Sequence, residues 1–198
     1  MRRSFVVVTL ALATVFALTA TPATAAPSRP AAPSGWVRVT SANQASLLHG
    51  RSVQEALAGT TIYSTANNRY VSAELGYTGG DQGMLRARAT AVGPWEQYSF
   101  YASGSTVTIT SNANGRYVSA ELGYTGGDQG MLRARATAVG PWERFNLFHN
   151  QSTGRWALQS QANDRYVSAE LGYTGGDQGM LRARATAIGP WEEYVLNG

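Results

Sequence analysis

The sequence predicts an all-β protein built from three near-identical four-stranded units, and three observations predict it. A block of 28 residues, Arg69 to Glu96 (RYVSAELGYTGGDQGMLRARATAVGPWE), recurs letter for letter at Arg116 to Glu143 and with one change, Ile188, at Arg165 to Glu192. The blocks start 47 and then 49 residues apart, a period that gives one supersecondary unit per copy and marks a repeat architecture. Within each copy, short runs of alternating apolar residues are separated by Gly, Pro, Asn and Asp, the pattern of strands joined by turns.

Before the repeats, Met1-Arg2-Arg3, the apolar run Phe5 to Leu18 and the small residues Ala23-Thr24-Ala25 predict a secretory signal peptide over residues 1–25. The apolar run is too short for a spanning helix, so the mature chain is expected outside the cell with no membrane span. Residues 26–35 (APSRPAAPSG) read as a Pro-rich linker. Residues 36–59 form an N-terminal extension with two helical hints, Ser41 ahead of Ala42 to Leu48, and a capping box of Ser52 and Glu55 stopped by Gly59. Helices this short are marginal alone. The segment is therefore expected either to dock through Trp36, Leu47, Leu48 and Leu57 or to be a mobile pro-segment.

The repeats divide at about 60–106, 107–154 and 155–198. The first strand of each is expected at Thr61 to Thr65, Val107 to Ser111 and Trp156 to Ser160, followed by a turn asparagine (Asn67, Asn114, Asn163). The second is expected at Tyr70 to Glu74, and the four glycines of Leu75 to Gly83 (LGYTGGDQG) favour an irregular loop. In the third, Met84 to Ala89, period two sends Leu85, Ala87 and Ala89 inward and places Arg86 and Arg88 on the solvent face. The fourth begins at Trp95 after Gly93-Pro94 and buries Tyr98 and Phe100; Phe145 with Leu147, and Tyr194 with Leu196, repeat that parity. Twelve short strands follow. No unit can bury its apolar face alone, so the three must close about a pseudo-threefold axis, which describes a β-trefoil with a short, partly helical N-terminal extension. A three-bladed propeller competes poorly, because propellers typically have at least four blades.

The string Asn, any residue, Arg-Tyr-Val-Ser-Ala-Glu, followed about twenty residues later by Gly-Pro-Trp-Glu, resembles the fascin-like β-trefoil module. It spans Asn67 to Glu74 with Gly93 to Glu96, Asn114 to Glu121 with Gly140 to Glu143, and Asn163 to Glu170 with Gly189 to Glu192. The resemblance covers all of residues 60–198. Animal fascins bundle actin, whereas similar bacterial modules are exported and resemble carbohydrate-binding modules. The resemblance therefore implies a non-catalytic, lectin-like protein, with a fascin-type protein-binding module, for actin or another filament, as the alternative. The single trefoil, the signal peptide and the long Gly-rich loop depart from fascins.

Composition narrows the chemistry. The chain has 198 residues, 43% of them hydrophobic, enough for a packed core. All 16 basic residues are Arg, and the net charge of +4 falls once Arg2 and Arg3 leave with the signal, which is weak attraction for nucleic acid. No cysteine is present, so neither disulfides nor thiolate chemistry enter. His49 and His149 stand isolated, which offers no metal cluster, and one Asp per loop is a poor calcium site. Neither a cofactor nor a nucleophile elbow is implied, and a monomer is expected.

Trp95, Trp142 and Trp191 could stack on sugar rings, but a Trp fixed by Gly-Pro at a strand entry reads more readily as a packing plug, with Glu96 bonding backbone N–H groups. Asn67, Arg69 and Tyr70 read as turn and core residues. The ligand-binding candidates lie around the glycine loop instead: Glu74, Tyr77, Asp81, Gln82 and Arg86; Glu121, Tyr124, Asp128, Gln129 and Arg133; Glu170, Tyr173, Asp177, Gln178 and Arg182. A loop tyrosine offers a face to a pyranose, and acids and amides bond its hydroxyls. That mix suits a neutral polysaccharide such as a glucan. Against it stands a structural reading, in which Asp81 makes the turn, Glu74 and Arg86 form an exposed cross-strand pair, and Tyr77 folds back on its own loop.

Overall fold

The computed structural model describes residues 32–43 and 57–198; the signal peptide, most of the linker and residues 44–56, with the greater part of both helical hints and the expected docking residues Leu47 and Leu48, lie outside them. Twelve strands run through the repeats: β2 (Thr60–Ser64), β3 (Arg69–Glu74), β4 (Met84–Ala89) and β5 (Gln97–Ser103); β6 (Thr106–Ser111), β7 (Arg116–Glu121), β8 (Met131–Ala136) and β9 (Phe145–Asn150); β10 (Arg155–Ser160), β11 (Arg165–Glu170), β12 (Met180–Ala185) and β13 (Tyr194–Asn197). A two-residue strand, β1 (Val37–Arg38), precedes them.

Antiparallel pairing sorts the twelve into two closed rings. Strands β2, β5, β6, β9, β10 and β13 pair in that order and back to β2, giving a six-stranded barrel with no free edge. The hairpins β3–β4, β7–β8 and β11–β12 meet through β4, β8 and β12, each pairing with the other two. Six barrel strands and three mutually paired hairpins are a β-trefoil.

The apolar alternation works as its period requires. Ile62, Tyr98, Phe100, Val107, Ile109, Phe145, Leu147, Leu158 and Tyr194 from the barrel share one core with Val71, Ala73, Leu85 and Ala87 of the first hairpin and their repeats. Each large side chain so buried stabilises the fold by roughly 1.5–3 kcal/mol. A turn after the first strand requires a left-handed residue, and Asn68 (φ 58°), Gly115 (φ 65°) and Asp164 (φ 54°) supply it, the residue types that tolerate it best. Beside it, Asn67, Asn114 and Asn163 each donate a side-chain bond to the carbonyl of Ala87, Ala134 or Ala183, at 2.8–2.9 Å.

Three local expectations change. The fourth strand starts at Gln97, because Pro94–Glu96 wind into a 3-10 turn closed by the Gly93 N–H, which donates to Glu96 Oε2 at 2.7 Å. The first strand begins at Thr60, and Thr65 leaves it. Arg86 is not on the solvent face: it is buried, whereas the Arg88 side chain keeps 45% of its surface exposed. Both point to one side of β4, but near the axis that side is roofed by another repeat.

The extension meets the trefoil through β1, which pairs with β9. Val39 and Leu57 enter the main core, and Trp36 packs on the cluster of Phe148, Ala157 and Tyr166.

Candidate functional site

The glycine loops gather at the threefold axis. Each makes a one-turn 3-10 segment, Gly79–Asp81, Gly126–Asp128 or Gly175–Asp177, and returns to the hairpin through the N–H of Gly83, Gly130 or Gly179, which donates to the carbonyl of Glu74, Glu121 or Glu170. Beneath them Met84, Met131 and Met180 form a fully buried cluster, with Tyr77, Tyr124 and Tyr173 packed over it. Tyr77 is therefore not a free aromatic awaiting a sugar face. Unbranched methionines fill the irregular space where the three repeats converge.

An arginine ring locks the loops. Arg86 donates to the carbonyls of Gln178 (3.0 Å) and Gly175 (3.3 Å) in the third repeat, and to the Tyr77 hydroxyl (2.6 Å). Arg133 donates to Gln82 and Gly79 of the first repeat and to Tyr124. Arg182 donates to Gln129 and Gly126 of the second and to Tyr173. In two copies the tyrosine hydroxyl also donates to a neighbouring loop, Tyr124 to Gly80 and Tyr173 to Gly127. Main-chain bonds run the same way round, from Ala87 to Gly179, Ala134 to Gly83 and Ala183 to Gly130, at 2.7–2.8 Å.

The expected Glu74–Arg86 pair does not form, because the donors of Arg86 are spent on carbonyls of another repeat. Arg88 takes its place, holding buried Glu74 through both carboxylate oxygens, as Arg135 does for Glu121; Arg184 binds Glu170. The carboxylate bond raises the pKa of each of these arginines above its ordinary value.

The fifteen candidates thus separate. Glu74, Tyr77 and Arg86, with Glu121, Tyr124, Arg133, Glu170, Tyr173 and Arg182, are engaged within the fold. Asp81, Gln82, Asp128, Gln129, Asp177 and Gln178 stay exposed. Trp95 and Trp191, expected as buried plugs, are 38% and 37% exposed. The indole edge of Trp95 lies against Gly76, where an added Cβ would stand 3.4 Å from Cη2.

Three clefts of about 380, 320 and 400 Å³ open between repeats. The first is lined by Leu75 and Gln82 of one repeat and by Asn114, Arg116, Ala134 and Arg135 of the next. In the second, Leu171 and Gln178 face Asn67, Arg69, Arg86 and Arg88. In the third, Leu122 and Gln129 face Asn163, Arg165, Arg182 and Arg184. Gln82 and its repeats are the candidates the clefts retain outside the arginine ring.

Arg69, Arg116 and Arg165 are the residues that sequence reasoning misplaced. By parity with Val71 and Ala73 they belong inside, but a register shift between Tyr70 and Val71, repeated at Tyr117/Val118 and Tyr166/Val167, breaks the alternation and turns them out. Their threefold recurrence with no acid opposite was the available signal. Among the described residues no group of three or more His, Asp or Glu side chains could hold a metal ion, and no helix is long and apolar enough to cross a membrane.

No protein-family model matches the chain, and no curated protein sequence matches it. Solved structures do. ThreeFoil, a designed threefold-symmetric protein, matches at TM-score 0.59 and 13% identity over 70% of this chain and 97% of that one. A ricin B-like lectin of Macrolepiota procera, in complex with lactose, matches at 0.55 and 14%, over 71% and 95%. An exo-β-1,3-galactanase from Clostridium thermocellum matches at 0.59 and 13% over 70% of this chain, which spans 30% of that one. At these identities the likeness establishes the fold, a β-trefoil.

Proposed function

We propose that this protein is a secreted, non-catalytic, trivalent carbohydrate-binding protein that holds polysaccharide in its three inter-repeat clefts. One observation carries the reading: every repeat junction offers an equivalent cleft in which an amide from one repeat faces an asparagine and arginines of the next across a leucine. Amide and guanidinium groups bond vicinal hydroxyls through paired donors and acceptors. The fold supports it, since a lectin and a carbohydrate-active enzyme are among the structures that share it. The signal-like N-terminus supports export, and the fascin-like repeat motif agrees with a bacterial module of this type.

Three sites on one rigid body convert weak contacts into avidity when a polymer reaches more than one. A neutral glucan as ligand loses two supports, because Glu74 is buried in its bond to Arg88 and Tyr77 is half-buried against the methionine cluster, with its hydroxyl bonded to Arg86. The test is affinity electrophoresis of the full chain through gels carrying glucan, galactan, mannan or uronan, with a glycan array beside it. Retardation by at least one polysaccharide is expected. Free migration through all of them, with a blank array, sinks the proposal.

A further inference from the structure

The charge inventory of the clefts goes further than their shape. In the second cleft three guanidinium groups, Arg69, Arg86 and Arg88, line one wall, and one carboxylate, Glu74, pairs with one of them. Arg86 is bonded to neutral oxygens only. Arg69 reaches just the carbonyl of Asn68, at 3.4 Å. The third cleft repeats the set with Arg165, Arg182 and Arg184 against Glu170, and in the first Arg116 and Arg135 face the opening with Glu121 behind Arg135. The exposed aspartates do not redress the balance, since Asp81, Asp128, Asp164 and Asp177 are absent from all three linings. Each cleft therefore carries excess positive charge although the recurring block itself is balanced, Arg69, Arg86 and Arg88 standing against Glu74, Asp81 and Glu96. The side chains of Arg116 and Arg165 have no hydrogen bond or ion pair among the described residues, so their forks are free to meet a ligand.

We propose that the clefts select acidic polysaccharide, with the exposed arginine of each cleft taking a uronate carboxylate through both oxygens while the neighbouring glutamine and asparagine amides bond the ring hydroxyls. This rests on the carbohydrate-binding reading above and names its ligand class. A planar guanidinium matches a carboxylate in a two-bond fork, and threefold spacing lets successive acidic units of one chain be shared between clefts.

The experiment compares three probes on the full chain by isothermal titration calorimetry: polygalacturonate, the same polymer fully methyl-esterified, and double-stranded DNA. Expected are binding to polygalacturonate, at least about tenfold weaker binding to the ester, and no comparable binding to DNA at the same salt. The triple variant Arg69→Gln, Arg116→Gln, Arg165→Gln should lose at least about tenfold in affinity for polygalacturonate and keep the parent's Tm, because these side chains are exposed. Equal binding to acid and ester, or an unchanged triple variant, overturns the acidic selectivity and leaves the lectin reading standing. Equal binding to DNA overturns it too, in favour of a general polyanion surface. No binding to either polymer, with no retardation by any polysaccharide in the gels, removes both readings.

Discussion

Arg133 belongs to the second repeat, yet its guanidinium donates twice to the carbonyl oxygen of Gln82 in the first, from Nε at 2.9 Å and from Nη2 at 2.7 Å. The contact repeats in one rotational sense, Arg182 to Gln129 and Arg86 to Gln178. It is where one repeat's strand becomes another repeat's loop support. Replacing Arg133 with Met should cost about 3 kcal/mol, since bonds from a charged donor are lost and loop carbonyls are left without a partner. Urea denaturation checks it: Arg86→Met and Arg182→Met should match it closely, and a loss below about 1 kcal/mol would show that the ring does not hold the loops.

Tyr77 and Trp95 exchange the roles their sequence surroundings suggest. Tyr77 packs on the methionine cluster and accepts from Arg86, so Tyr77→Ala should cost about 3 kcal/mol by opening that space and stranding a buried donor. Trp95 is 38% exposed, and Trp95→Ala should cost only about 1–2 kcal/mol from the area it does cover. Thermal melts of the two variants decide the order.

Two glycines of the same loop separate backbone strain from crowding. Gly79 has φ +61° and open space where a Cβ would go, whereas Gly83 has φ +78° and the Ala134 carbonyl oxygen 2.8 Å from that position. Gly79→Ala should cost about 1–2 kcal/mol for the left-handed conformation alone. Gly83→Ala should cost about 3 kcal/mol or more, because it also forces the two repeats apart. Chemical denaturation of both variants reads the difference.

Alkaline unfolding should begin near pH 10 and involve Tyr98 and Tyr194. Burial pushes both phenols well above their ordinary pKa, with Glu96 and Glu192 adding to the shift. In the unfolded chain they ionise near the usual tyrosine value of about 10. Above that value the unfolded state binds fewer protons than the folded one, so the stability fully present below it is lost progressively as pH rises from there towards the raised folded value. Phe145 holds the equivalent place in the second repeat. Tyr98→Phe should therefore fold, cost about 1 kcal/mol at neutral pH for the bond to the Val71 carbonyl, and flatten the alkaline limb of a stability-against-pH curve.

The sequence made the architecture legible because a repeat states its own period, and parity at Tyr98, Phe145 and Tyr194 fixed which faces meet. What it hid lies between repeats. Period two treats Arg86 and Arg88 alike, and they do share a face of β4; only the neighbouring loop distinguishes the buried one from the exposed one. The same blindness assigned Glu74 to Arg86, and the register shift beside Tyr70 concealed Arg69. Glu96 was readable because its bond is local, three residues back to Gly93. The exposed glutamines of the loop tips, Gln82, Gln129 and Gln178, were found by composition, and they are where the candidate residues and the clefts coincide.

The directionality of the arginine ring has a bearing on how such a chain could arise. Each repeat gives a guanidinium to one neighbour and offers loop carbonyls to the other, so its two flanks are unlike and complementary, a head-to-tail contact whose rotation closes after three steps. Nothing in that contact requires the three units to be covalently joined. A peptide of one whole repeat, its barrel strands included, carries both halves of the joint and is geometrically equipped to assemble as a homotrimer, and duplication in tandem would then only tether an association already encoded in a single repeat.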